Sequence, residues 1–276
     1  MVSTRTLRDL LDRRDEPWYR LTIALGRTAM GVLDITTRTS GVEHLPEHGP
    51  VVLACAHVSY PDFLFVGKAA LARRRYVRFM CRHDVWNVPP VARGMDGMRH
   101  IPVDREAPAA AYLRARRLLE EGEAVCTFPE AGISHSFTIR SLMPGAAALA
   151  RETGAPLVPV VLWGSQRFAT VGRPVNGREP RVDLTRGRLV DVRFGPPITP
   201  IGPDSDPVEV TRRLGEALTG MLESLQRLPA HRPSTGEYAP WYPAHLGGHA
   251  PDRREALSLD HVPRAAISPS WGPPLG

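Results

Sequence analysis

The sequence predicts an α/β fold: a mixed, largely parallel sheet flanked by helices, with an amphipathic helical segment in front and a poorly structured tail behind. Three observations predict it. Short apolar runs at 51–56, 76–81, 98–103, 124–128, 157–162 and 189–194 alternate with stretches of helical length, the signature of strands and helices taking turns along one chain. A helical pattern begins at Pro17 and brings Trp18, Leu21, Leu25, Met30 and Leu33 to one side, interrupted by Arg20, Arg27 and Asp34. Beyond Pro229 the chain is rich in Pro, Gly, His and Arg and has no apolar period, so it reads as a tail with little fixed structure. The expected organisation is a helical segment over 1–36, either membrane-apposed or packed on its own domain, one large domain over 37–228 and a tail over 229–276.

Within the domain, Pro61 suits the first position of a helix running to residue 72, because its missing N–H has no partner to lose there. A short helix is expected at 85–93 and longer ones at 108–121, 142–153 and 207–228. Pro159 lies inside the apolar run 157–162, which argues for an edge strand or a bulge there. Trp241, Tyr242 and Trp271 are large side chains with which the tail could dock.

Composition narrows the function classes. Of 276 residues, 42% are hydrophobic, enough for a sizeable core. A net charge of +6 suits an anionic partner such as a membrane surface, a phosphate-bearing substrate, coenzyme A or an acidic carrier protein. No zinc-ligand spacing or aromatic-interleaved basic segment points to nucleic acid. Lys68 is the only lysine, a bias that composition explains as well as phosphate binding does. Cys55, Cys81 and Cys126 are odd in number and embedded in apolar runs, so they read as buried thiols of a reducing compartment. No cleavable signal and no apolar stretch of about 18 residues is present, so attachment to a bilayer would be peripheral.

The chemistry gathers where strands should end. His57 follows the apolar run 51–56, and Asp62 falls in the first helical turn, where it complements the helix dipole. Along a continuous helix, five residues would turn the two side chains roughly 140° apart; an intervening turn lets them meet. A carboxylate bonded to one imidazole nitrogen fixes the tautomer and leaves the other nitrogen free to take a proton. The alternative is a strand-end histidine and a helix cap. Arg105 follows the run 98–103 with Asp104 between, a position suited to gripping a phosphate bidentately; the alternative is a solvated arginine paired with Asp104 or Glu106. Glu130 follows Pro129 at the end of 124–128, and Gly132 permits a tight turn or a close approach to a ligand. Backbone N–H groups near Pro61 offer a place for an oxyanion or a phosphate.

Taken in order, His57 with Asp62, Ile101-Pro102-Val103-Asp104-Arg105, Phe128-Pro129-Glu130-Ala131-Gly132-Ile133-Ser134 and Val158-Pro159-Val160 resemble the four blocks of the glycerolipid acyltransferase family over residues 35–200. Its best-known members are bacterial 1-acylglycerol-3-phosphate acyltransferases. The resemblance implies transfer of a fatty acyl group from acyl-CoA or acyl carrier protein to a lipid hydroxyl, most simply that of 1-acylglycerol-3-phosphate. His57 and Asp62 would be catalytic, and Arg105, Glu130 and Gly132 would bind substrate. No metal or prosthetic group is implied. The expected place is the cytoplasmic, inner face of the cell membrane. The third block departs from the family, whose Gly-Thr-Arg is here Ala131-Gly132-Ile133. Arg140 is the residue placed to compensate, and a different lipid or polyol acceptor is the alternative. Two rivals are a serine hydrolase built on Ser134 and a non-catalytic lipid-binding scaffold. The Ser134 segment lacks the second glycine of a nucleophile elbow.

Overall fold

The computed structural model describes residues 16–104, 106–174 and 180–274. Seven strands form one sheet: β1 (Thr36–Ser40), β2 (Val51–Cys55), β3 (Val77–Arg82), β4 (Ile101–Val103), β5 (Ala124–Thr127), β6 (Leu157–Trp163) and β7 (Leu189–Phe194). The order is β1-β7-β6-β2-β5-β3-β4, parallel throughout except between β6 and β7. The helices are α1 (Pro17–Val32), α2 (Asp62–Ala70), α3 (Pro89–Gly97), α4 (Ala109–Glu120), α5 (Gly145–Thr153), α6 (Pro207–Gln226) and α7 (Arg253–Leu259).

The centre of the sheet is apolar on both faces. All five residues of β2 and all seven of β6 are buried, which is why these strands read as continuous apolar runs. The chain moves outward from β2 to β3 and β4, then back across β2 from β5 to β6. With right-handed crossovers, α2 and α5 therefore lie on opposite faces. The crevice between the carboxyl ends of β2 and β5 is thus the switch point where α/β sheets place ligands.

Three sequence expectations need correcting. The strand β1 lies in a segment without an apolar pattern, Thr-Thr-Arg-Thr-Ser, and four of its five residues are exposed; it is held by parallel pairing with β7 at the sheet edge. The helix expected at 85–93 is a 3₁₀ turn over His83–Asn87 followed by α3, because Pro89 starts a new helix. Pro159 sits in an interior strand between β2 and β7. Its carbonyl accepts from Gly195 N at 2.8 Å, so its missing N–H faces the stretch just past the end of β7, where no ladder bond is lost.

The amphipathic segment is helical, but most of its expected apolar side faces outward. Tyr19 and Met30 are buried, whereas Leu21, Leu25 and Val32 are exposed. Contacts of Tyr19 and Glu16 are among those that anchor α1. Tyr19 stacks on Tyr76 with ring centroids 4.2 Å apart, and Glu16 pairs with the buried Arg78 at 2.6 Å. No helix among the described residues is long and apolar enough to cross a membrane.

Past Pro229 regular structure is sparse, as the composition implies, yet the segment is packed. Tyr242 and Trp271 are buried. Tyr242 Oη donates to Gln226 O at 2.8 Å, and Trp271 Nε1 donates to Ile139 O at 3.2 Å. The Trp271 ring lies against Gly215 of α6 so closely that a Cβ there would come within 2.4 Å of it. Trp271→Ala should lower the unfolding free energy by about 3–5 kcal/mol, read by urea denaturation; an unchanged midpoint would mean that the ring contributes no packing.

Candidate active site

The strand β2 runs one bond past its end, with Ala56 N donating to Val160 O at 2.9 Å, and His57 is the first side chain to emerge. Pro61 caps α2 and Asp62 opens it, one residue later than the sequence reading. From there the Asp62 carboxylate folds back over the turn it follows. Its Oδ2 accepts from Val58 N at 2.8 Å and Ser59 N at 2.9 Å and lies 3.0 Å from His57 Nδ1. Its Oδ1 accepts from Ser165 Oγ at 2.8 Å. Because a carboxylate only accepts, this geometry places the imidazole proton on Nδ1 and directs a lone pair from Nε2. The His57 side chain keeps 20% of its exposure while that of Asp62 has none, so one end of the ring is fixed and the other open.

The neighbouring strand end supplies the floor. Phe128 lies against the imidazole with ring centroids 4.3 Å apart. Glu130 is buried; its Oε1 accepts from His57 N at 2.9 Å and its Oε2 from Arg140 N at 3.2 Å. Burial pushes its carboxyl from the usual 4.5 up to about 7, against the opposing pull of those N–H groups and of Arg140. Glu130 therefore braces the His57 backbone, rather than facing an acceptor as the resemblance implied.

Arg140 also differs from expectation. Its Nε and Nη2 donate to Glu130 O at 3.0 and 2.7 Å, and its Nη1 lies 3.5 Å from Asp260. With 8% exposure, this guanidinium is spent on holding the turn and is not presented to a phosphate. The turn needs holding: Ala131 has φ +54°, a left-handed conformation that costs a residue with Cβ roughly 1–2 kcal/mol. Gly132 has its own reason, since a Cβ there would lie 2.5 Å from Arg140 Nη2.

Arg105 lies outside the described residues. The helix start does not provide the expected cluster of open donors. The N–H groups of Val58 and Ser59 go to Asp62, that of Tyr60 goes to Ala169 O at 3.1 Å, and that of Asp62 goes to Ser59 O at 3.3 Å. Among the described residues Ser134 meets no base: its hydroxyl pairs with Ser136 Oγ at 3.0 Å, while the adjacent His135 Nδ1 faces Asp260 at 2.6 Å. No group of three or more His, Cys, Asp or Glu among the described residues could hold a metal ion.

Two contributors escaped the sequence reading. Ser165 holds the far oxygen of Asp62 from the end of β6, and its signal was a Gly-Ser pair just after an apolar strand. Asp260 comes from the tail and binds His135 N at 3.1 Å as well as its ring; nothing local marked it.

The model of the family described as Acyltransferase matches residues 36–163. Residues 36–163 form an acyltransferase-family domain. The 1-acyl-sn-glycerol-3-phosphate acyltransferase of Bacillus subtilis is 30% identical over 123 residues, covering 44% of this chain and 60% of that protein. The chloroplastic 1-acyl-sn-glycerol-3-phosphate acyltransferase BAT2 of Brassica napus is 26% identical over 140 residues, covering 49% of this chain and 40% of that protein. The matches thus span only part of these curated relatives. The crystal structure of the 1-acyl-sn-glycerophosphate acyltransferase PlsC from Thermotoga maritima superposes with a TM-score of 0.61 at 20% identity, over 76% of this chain and 80% of that one, which establishes a shared fold. Both polar centres of the acyltransferase domain, His57 with Asp62 and Glu130, lie within the matched segment.

Glu130 makes the domain's stability depend on pH with a definite sign. Its folded pKa, about 7, exceeds its unfolded value near 4.5, so the folded state keeps a proton that the unfolded chain gives up between these values. The stability this contributes is present below pH 4.5 and lost as pH rises through 7. Relative to Glu130→Gln, the native protein should lose up to about 3 kcal/mol across that window, measured by urea unfolding at about pH 5 and about pH 8. A constant difference between the two proteins would assign the titration elsewhere.

Proposed function

We propose that this protein is an O-acyltransferase that moves a fatty acyl group from a thioester, on coenzyme A or acyl carrier protein, to a lipid hydroxyl, that of 1-acylglycerol-3-phosphate first. The observation that carries the reading is the one-sided histidine: Asp62 occupies Nδ1 at 3.0 Å and the ring remains part-exposed. In the reaction His57 Nε2 takes the proton of the acceptor hydroxyl as its oxygen attacks the thioester carbonyl carbon. The tetrahedral adduct then collapses, the carbon–sulfur bond breaks, and the imidazolium returns the proton to the departing thiolate. Asp62 stabilises the imidazolium in between. No acyl-enzyme forms, and neither a metal nor a prosthetic group takes part.

Glu130 and Arg140 act by fixing where His57 starts. Arg105 is the acceptor-phosphate group, on the strength of the sequence pattern that places an arginine just after an apolar run. A second acceptor reading, another lysophospholipid, a glycolipid or a polyol, is favoured by one observation: Arg140 is turned inward and Ile133 is a buried apolar residue. The third block therefore offers a phosphate less than the family pattern does. The exposed Leu21, Leu25 and Val32 of α1, flanked by Arg20 and Arg27, support peripheral binding to an anionic membrane surface, on the cytoplasmic face. A non-catalytic lipid-binding scaffold would keep the same fold and show no thiol release.

The test is incubation with labelled acyl thioester and a panel of lysophospholipids and polyols, with products read by mass spectrometry. Thiol should be released only when an acceptor is present. His57→Ala should abolish turnover and Asp62→Asn should lower kcat by about 10²–10⁴-fold, with the circular dichroism spectrum of His57→Ala unchanged. Full activity in His57→Ala would remove it from the mechanism.

A further inference from the structure

The loop after β6 serves two purposes. Its first residues are stitched to the His57 turn: Ser165 holds Asp62, Ser59 Oγ donates to Ser165 O and Ala169 O at 3.0 and 3.1 Å, and Thr170 Oγ1 donates to Val58 O at 2.6 Å. On its other side the same loop lines a cavity of about 930 Å³, closed by the stretch before β7 and by residues 237–251. That volume falls within the ~300–1,000 Å³ of cofactor-sized sites. Since β2 and β6 run parallel, the cavity opens at the same edge of the sheet as His57.

Its lining is cationic and aromatic together. Arg167, Arg173, Arg181 and Arg188 line it with only Asp183 and Glu237 as lining carboxylates, and Arg173 is paired with Glu255 at 2.5 Å. Arg167 reaches Glu237 at the long distance of 3.9 Å and lies over the Trp241 ring, 4.2 Å from its centroid. Burial first, and the charge of Arg188 second, hold the Arg167 pKa below its ordinary value, while Arg188 Nη2 pairs with Asp183. Two buried donors are left over as well. Gln166, 2% exposed, leaves its Nε2 unbonded, and Arg188, 9% exposed, leaves its Nη1 unbonded. A buried donor without an acceptor is costly, and two of them among the lining residues of one cavity point to an acceptor-rich ligand. Tyr238, at the same cavity, is 69% exposed; its ring lies tilted against that of His249, centroids 4.8 Å apart, and the rest of it is open to stacking.

We propose that this cavity binds the phosphorylated nucleotide portion of a ligand, with the phosphates at Arg167, Arg188 and Gln166 and the base on the ring of Tyr238. Guanidiniums favour phosphate oxygens, and an exposed aromatic face accepts any base. The same chemistry is carried by coenzyme A and by free nucleotides. The cavity does not depend on the acyl-transfer reading, because none of its groups touches His57.

Calorimetric titration of the full chain with CoA, ADP, adenosine and inorganic phosphate tests this. CoA or ADP should bind at one site, with adenosine and phosphate each at least about tenfold weaker. CoA binding more tightly than ADP identifies the source as a thioester donor; equal affinity identifies a free nucleotide. Arg167→Gln and the surface change Tyr238→Ala should each weaken binding about tenfold, while His57→Ala should leave it unchanged, so that loss of acyl transfer and loss of this site are told apart. No binding of either CoA or ADP up to about 1 mM, equal affinity for phosphate alone, or full affinity in both cavity variants would overturn the proposal.

Discussion

One buried carboxylate sets the geometry of everything around it. Removing an aspartate from water is expensive unless each lone pair finds a donor, and Asp62 has no exposure at all. Two backbone N–H groups, one imidazole nitrogen and one serine hydroxyl meet it. These four bonds tie together the turn after β2, the start of α2 and the loop after β6. The imidazole is therefore oriented by the same interaction that makes the burial tolerable. The placement of His57 and the fold of the turn are one constraint here, since a conformation of the turn that released His57 would also take donors from the carboxylate.

A second layer surrounds it and reaches further along the chain. Glu130 holds the His57 backbone from β5, Arg140 holds Glu130, and Asp260 of the C-terminal segment lies beside Arg140 and binds His135. The altered third block is intelligible in these terms. A left-handed Ala131 is strained by itself, but the guanidinium clamp on the preceding carbonyl offsets that strain. The clamp in turn needs space, which Gly132 supplies. What looks in the sequence like decay of a motif is a repacked turn whose arginine enters from ten residues past the end of the Pro129-Glu130 pair and points inward.

How much of this was legible depended on distance along the chain. His57 and Asp62 are five residues apart, and strand end, turn and helix start are all local signals, so their meeting could be read directly. The interior strands announced themselves as apolar runs because both their faces are covered. β1 gave no such signal, since pairing along an exposed edge asks nothing apolar of Thr36 to Ser40. Pro159 was read by the usual rule for prolines, and only the end point of β7 explains why an interior strand tolerates it. The segment after Pro229 was read from composition, which reports poverty of regular structure; it says nothing about three aromatic side chains finding slots on α6 and the domain body. Ser165 and Asp260 act across 103 and 125 residues, and no local pattern encodes such partners.

The placement of Ser165 and Gln166 has a consequence for how the basic cavity and the His57 turn communicate. Adjacent residues in a strand-end turn cannot move independently: Gly164 is left-handed, and a Cβ there would lie 2.1 Å from Leu189 O, so the turn is pinned where it leaves β6. Gln166 Oε1 accepts from Gly164 N at 2.7 Å, closing the turn from the other side. A ligand that engages the free amide nitrogen of Gln166 therefore acts on a rigid three-residue unit whose middle member bonds Asp62. A ligand shifts a conformational equilibrium only by its differential affinity for the two states, and a pinned turn has few states to shift between. Occupancy of the basic cavity should accordingly reinforce the existing orientation of Asp62 and His57 rather than create it, since Asp62 already holds the imidazole at 3.0 Å.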